Sequence, residues 1–257
     1  IFCSNQSSRP ERGGIIPSMI NMDDPNHKQR RSLVNSGFTP RRLKESEAKI
    51  RRITNSLIDN VCERGECEFV REIAAPLPLI MIGDMLGMPE EDFETLLRWS
   101  EDMLAATSAT ASPELQERAQ QAGIEYATYA LSAIQERRRK PTDDLLSTLV
   151  HAEIDGQSLN EEALIHESLL ILVGGDETTR HVITEGALAL IENPAERQKL
   201  IEEPLRIPTA VEELLRWVSP IKNMNRTTTR DTELRGQKLR EGDRVLLLYP
   251  SGNRDEK

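Results

Sequence analysis

Positive charge is in short supply in this chain: 33 lysines and arginines face 43 aspartates and glutamates, and the net charge of −10 argues against nucleic-acid binding. Long hydrophobic runs are missing too. No apolar stretch approaches the roughly 20 residues a membrane span needs. Residues 169–173 form the longest strongly apolar piece of the central segment, and Pro76 and Pro78 break the other candidate. With no signal peptide visible, the expected location is cytoplasmic. Cysteine is limited to Cys3, Cys62 and Cys67. A zinc site would want a second pair of ligands at matching spacing, so reduced thiols are expected, with a disulfide as the minor alternative. No glycine-rich fingerprint for flavin or nicotinamide is present, and no internal repeat or low-complexity tract. The doubled Asp143-Asp144 lacks the further acidic residue that magnesium would need, and helix capping explains it better.

What is present is ordinary globular usage, 37% hydrophobic and 30% charged over 257 residues, divided by proline and glycine. Thr39-Pro40 opens a helix toward Glu63, which ends at a glycine cap, Gly65, between Cys62 and Cys67. Pro89-Glu90-Glu91 opens one that continues past Trp99, and Ser112-Pro113-Glu114 a long one ending near Arg139. Asp144, Asn193-Pro194 and Pro208-Thr209 mark three further starts, and Asp24 before Pro25 reads as an N-cap with proline at the first helical position. From Ser158 to Glu192 the pattern is one long helix. Ser158 and Glu161 have capping-box spacing, and Leu164, Leu169, Ile171, Leu172 and Val173 form its apolar face. After Asn225, short strands alternate with glycine turns, so the expected fold class is mainly α with a small β-sheet portion.

The central helix is interrupted in composition by Gly174-Gly175-Asp176-Glu177-Thr178-Thr179. Two adjacent glycines inside a helix cost about 1 kcal/mol each relative to alanine. A helix that carries them needs its backbone close to something flat or bulky, or a local opening of its hydrogen-bond ladder. The bland alternative is a buried helix whose hydroxyls bond back to carbonyls. Elsewhere His27 and Arg31, four residues apart, share one helical face and could clamp a pair of carboxylates, although a solvated basic helix has the same composition. Glu213 and Arg216 form an i,i+3 ion pair, worth little on a surface.

These motifs, in this order, resemble the cytochromes P450, and the resemblance covers essentially the whole chain. It implies that Gly174 and Gly175 leave room for haem b (iron protoporphyrin IX), and that Glu177 and Thr178 deliver protons where dioxygen's O–O bond breaks. It implies that His27, Arg31 and Arg226 hold the haem propionates, and that Glu213 and Arg216 form a buried structural pair. Asn253-Arg254-Asp255 is similar to a turn of that family. The axial cysteine, in a Phe-Gly-x-Gly-x-His-x-Cys-x-Gly loop, has no match, so residues 1–257 are expected to be an internal segment of one P450 domain that lacks the N-terminal sheet region, with no metal ligand of their own and the ligand loop beyond residue 257.

Within the family the wording is most similar to actinobacterial enzymes that oxidise the terminal methyl of a sterol side chain. Few aromatics lie in the access region. Met19, Ile20 and Met22 precede the first haem helix, and Met103 and Leu104, with Ala105 and Ala106, are expected in a loop roofing the pocket. Such a lining suits a bulky aliphatic ligand and does not separate a steroid from a fatty acid or a terpene. The implied activity is O2-dependent hydroxylation, with electrons from a separate ferredoxin and ferredoxin reductase. The competing reading is a non-catalytic helical remnant that binds haem weakly or binds only a partner.

Overall fold

The longest element, helix α7 (Glu161–Glu192), organises the rest, and its buried positions explain why. Ala163, Leu164, Glu167, Ser168, Ile171 and Leu172 recur at helical spacing, forming a stripe that turns inward. The computed structural model describes residues 1–9, 17–107 and 110–256. Before α7 come α1 (Asn26–Asn35), α2 (Pro40–Cys62), α3 (Pro76–Met85), α4 (Phe93–Ala105), α5 (Pro113–Arg139) and α6 (Leu145–His151). After it come α8 (Pro194–Glu202), α9 (Ile207–Val218) and the single turn α10 (Tyr249–Gly252). The stripe of α7 packs on α3 and α5, where Leu79, Ile82, Tyr126 and Ala130 complete one core with Leu86, Leu96, Leu145, Leu146 and Leu149. Each buried leucine there contributes about 1.5–3 kcal/mol. Inside the core the Tyr126 hydroxyl donates to Ser168 Oγ at 3.0 Å, tying α5 to α7.

Helix starts follow local chemistry. The Thr39, Ser112 and Asp144 side chains accept the N–H of Arg42, Leu115 and Ser147 and open α2, α5 and α6. Two expected starts are corrected. The helix α1 begins at Asn26, one residue beyond Pro25, and Asp24 does not cap it. The long helix α7 begins at Glu161 because Asn160, not Ser158, accepts the Ala163 N–H at 2.9 Å. Ser158 belongs instead to a hairpin of β2 (Glu153–Ile154) and β3 (Gln157–Ser158), whose two-residue loop, Asp155-Gly156, has φ of 53° and 77°. Positive φ at both loop positions is what a tight hairpin requires, and Asp-Gly supplies it. A single turn of π-helix spans Val70–Ala74, whereas α7 itself runs unbroken through both glycines. The opening of its hydrogen-bond ladder that the sequence allowed does not occur.

The sheet is small. The strands β1 (Phe2–Cys3), β4 (Asn223–Thr228) and β7 (Arg244–Leu248) pair antiparallel in the order β1-β4-β7, with Cys3 opposite Thr227 and Arg226 opposite Val245. A separate hairpin joins β5 (Thr232–Leu234) to β6 (Gln237–Leu239). The three-stranded sheet matters for position: it brings Arg226 to the same cavity as α1 and the middle of α7. No described helix is long and apolar enough to cross a membrane.

Candidate functional site

A cavity of about 1190 Å³ opens between α1, the middle of α7 and the β1-β4 edge. His27 and Arg31 reach it from one face of α1, and Arg226 from β4. The two arginines are not neutralised within the site. Among the described residues Arg31 has no hydrogen-bond or ion-pair partner, and Arg226 Nη1 donates only to the Asn225 carbonyl, at 2.7 Å. His27 Nδ1 lies 3.6 Å from the exposed Asp24 carboxylate. Unpaired guanidinium groups converging from a helix and a strand form a receptor for carboxylates. Leu170 and Gly174 supply the α7 side of the cavity, with Met19, Ile20 and Met22 along its apolar rim.

The two glycines serve different purposes. A Cβ on Gly174 would meet nothing within 4 Å, so the bare backbone of α7 faces open space. A Cβ on Gly175 would stand 2.7 Å from Ile82 Cγ1, so that glycine permits close packing of α7 on α3 and does not line the cavity. Thr178, one turn beyond Gly174, points its hydroxyl back to the Gly174 carbonyl at 2.8 Å. It opens on a neighbouring apolar groove, of about 620 Å³, with Phe69, Val182, Ile183 and Leu214. Residues 170, 174, 178 and 182 are each one turn apart, so cavity and groove lie in line along one face of α7.

The acid of the pair is held by its own helix. Glu177 makes a close ion pair with Arg180, and its other oxygen lies 3.6 Å from His181 Nδ1. Arg180 also reaches Glu101 of α4 at 2.9 Å. Asp176 lies fully buried with neither carboxyl oxygen hydrogen-bonded, and Ser100 Oγ beside it is unpartnered as well. Burial pushes the Asp176 carboxyl up to about 7; Arg180 and, least of all, the neighbouring Ser100 hydroxyl oppose the shift, and Glu177 and Glu101 add to it. Burial likewise pushes Glu167 up to about 7, against the pull of Arg30 and the Met19 N–H.

Several expected positions are corrected. Met103 and Leu104 lie in the last turns of α4, not in a loop; Met103 packs against the core, and neither lines the cavity. The Glu213–Arg216 pair is exposed, with side chains 55% and 42% accessible. The Asn253 carbonyl completes it, accepting from Arg216 Nη1 at 2.5 Å. Cys62 and Cys67 are free and exposed, whereas Cys3 is free and lies at the cavity edge on β1. Sequence reasoning did not single out Glu167, Arg30 or Arg180. Arg180 could have been found from its i+3 spacing to Glu177, and Glu167 as a carboxylate inside the apolar stripe of α7.

A family model described as Cytochrome P450 matches residues 11–257. The chain belongs to the cytochrome P450 family. A steroid C26-monooxygenase of Mycobacterium tuberculosis is 46% identical over all of this chain and 64% of its own length. A methyl-branched lipid omega-hydroxylase of the same species is 40% identical, covering 96% of this chain and 58% of its own length. The chain thus spans less than two thirds of these curated P450 relatives. A solved structure of a Mycobacterium marinum cytochrome P450 in complex with pseudoionone superposes with a TM-score of 0.94, at 33% identity, over 100% of this chain and 64% of that one. The helical architecture with small sheets is therefore a partial P450 fold.

Proposed function

We propose that this chain is the haem- and substrate-binding portion of a monooxygenase that hydroxylates a bulky aliphatic substrate, foremost a sterol side chain. The observation that carries the reading is the convergence of Arg31 and Arg226, without carboxylate partners of their own, and of His27 on a cavity whose far side is the bare backbone at Gly174. Those residues fit haem b: two guanidinium groups and an imidazole as donors for two propionates, and a strip of helix with no side chain for a flat macrocycle to meet. When bound through a thiolate, haem supplies dioxygen activation. The thiolate is not assigned to Cys62, exposed at the end of α2, or to Cys67, exposed beyond that end, nor to Cys3, which shares a strand ladder with Arg226 on the carboxylate-receiving side.

The chain's own residues then divide the work. Arg31 and Arg226 neutralise the carboxylates, and His27 orients one of them. Met19, Ile20, Met22 and Leu170 offer the substrate an apolar surface that excludes water. In this reading Glu177, largely covered and ion-paired to Arg180, is the acid of the proton path, and the half-exposed His181 lies on its solvent side. Thr178 Oγ1 donates to the Gly174 carbonyl and, in this reading, leaves that bond to pass the proton on. The stoichiometry needs two electrons and two protons per O2, and a ferredoxin with its reductase is the proposed source of the electrons.

The substrate class rests on the lining and on two relatives, one named for a steroid and one for a methyl-branched lipid. The test uses the full-length, haem-loaded protein supplied with ferredoxin, ferredoxin reductase and a sterol with an aliphatic side chain. Terminally hydroxylated sterol is expected from the parent. From Thr178→Ala the product formed per reducing equivalent should fall, with the remainder diverted to peroxide, while substrate affinity stays near parental. Equal ratios in the two proteins would remove Thr178 from the proton path, and absence of any product would remove the substrate class.

A further inference from the structure

Glu167 is a buried charge that the proposed chemistry does not use. It is 1% exposed in the inward stripe of α7, where an apolar residue would fill the same space. A carboxylate there is unfavourable unless partnered, and its partnering is incomplete. Oε1 accepts the Met19 backbone N–H at 2.9 Å and lies 3.5 Å from Arg30 Nη1, whereas Oε2 and Arg30 Nη1 have no hydrogen bond. The contact it makes well is therefore the one to Met19, 148 residues away along the chain.

Met19 opens a single 3-10 turn, Met19–Asn21, and this turn with Met22 forms the apolar rim of the cavity. Its other end is held from the opposite side. Asn21 Oδ1 accepts the Ser8 N–H at 3.0 Å and the Ser8 hydroxyl at 2.7 Å, and the Ser8 carbonyl accepts the Asn225 N–H at 2.7 Å, next to Arg226 on β4. The turn thus hangs between the central helix and the sheet. The geometry points to Glu167 as a specificity-determining positioning residue. From α7 it pins the Met19–Asn21 turn, with Arg30 as counter-charge, and so sets the apolar wall against which a bulky ligand must fit. This rests on the reading of the cavity as the ligand site. Arg30 adjoins Arg31 on α1, so the same anchor joins the wall to the carboxylate clamp.

The experiment compares the full-length, haem-loaded parent with Glu167→Gln, Glu167→Leu and the double variant Glu167→Leu/Arg30→Leu. The double variant replaces the buried pair with apolar groups, a change that commonly leaves stability near parental, and so guards against simple misfolding. Amide hydrogen exchange is read over residues 19–22, and dissociation constants are measured for cholestenone and for palmitate. Losing the acceptor should speed exchange at Met19 on the order of ten- to a hundredfold in both leucine variants. Exchange in α1 should stay parental in the double variant, and the affinity ratio between the bulky and the slender ligand should fall about tenfold. Glu167→Gln, which keeps an acceptor oxygen, should fall between parent and leucine. Parental exchange at Met19, or a parental affinity ratio, in the double variant would overturn the proposal. Failure of the monooxygenase reading would show separately, as absent product while exchange and binding remain readable.

Discussion

Replacing Asp176 by asparagine should shift stability in a way that depends on pH, with the variant gaining on the parent as pH rises from 4 to 8. Asp176 is fully buried in α7 with both carboxyl oxygens unpartnered, and burial lifts its carboxyl from the ordinary 3.8 to about 7. Because the folded value lies above the unfolded one, the folded state keeps a proton between about pH 4 and 7 that the unfolded state has released. Stability therefore falls with rising pH through this window, and above it the deficit is constant. The difference corresponds to about 4 kcal/mol at most. Below pH 4 both states are protonated and the term vanishes. Asparagine cannot ionise, so the gap between variant and parent should open by up to about 4 kcal/mol, since every other titrating group is common to both. Urea unfolding of both proteins at pH 4, 5.5, 7 and 8 measures it. A gap that stays flat with pH, or that closes as pH rises, would show Asp176 to be ionised and held in the fold by Arg180, and would refute the reasoning.

The clamp and the glycines give two more outcomes. His27→Ala, Arg31→Ala and Arg226→Ala in the full-length protein should each weaken haem retention by roughly 1.5–3 kcal/mol, the range for a charge-assisted donor; unchanged occupancy in all three would make them surface charges. Gly175→Ala should destabilise the ligand-free fold by about 1–2 kcal/mol in urea unfolding, because the new methyl meets Ile82. Gly174→Ala should instead stabilise it by up to about 1 kcal/mol, since only the helix propensity changes. Equal effects at the two positions would mean that their faces are misassigned.

How far the sequence could be read depended on how local each interaction is. The caps at Thr39, Ser112 and Asp144 were legible because the accepting side chain and the donating N–H lie three residues apart. The capping box at Ser158 misled because Asp155-Gly156 imposes a hairpin first, which draws Ser158 into a strand and leaves the cap to Asn160. Met103 and Leu104 were expected in a loop, yet α4 carries its amphipathic pattern through Ala105 and draws Met103 onto the core. In the site, His27 and Arg31 could be paired from spacing alone. Arg226 reaches the same cavity through a strand pairing with no local signature, so only resemblance to the family pointed to it. The Glu167 contacts with Met19 and Arg30 join distant segments, and no short-range pattern could announce them.

Such long-range contacts also show how one helix can serve several demands at once. Along α7 the stripe at 164, 168, 171 and 172 is spent on the core, while the face at 170, 174 and 178 is left to the cavity and groove. The step between adjacent residues is about 100°, so Gly174 and Gly175 cannot share a surface. One must look into the cavity and the other into α3, and each needs the absence of a side chain for its own reason. The same rotation puts Asp176 inside the protein and Glu177 beside Arg180. Of the two adjacent acids, then, the helix makes one costly and buried and the other ion-paired within its own next turn.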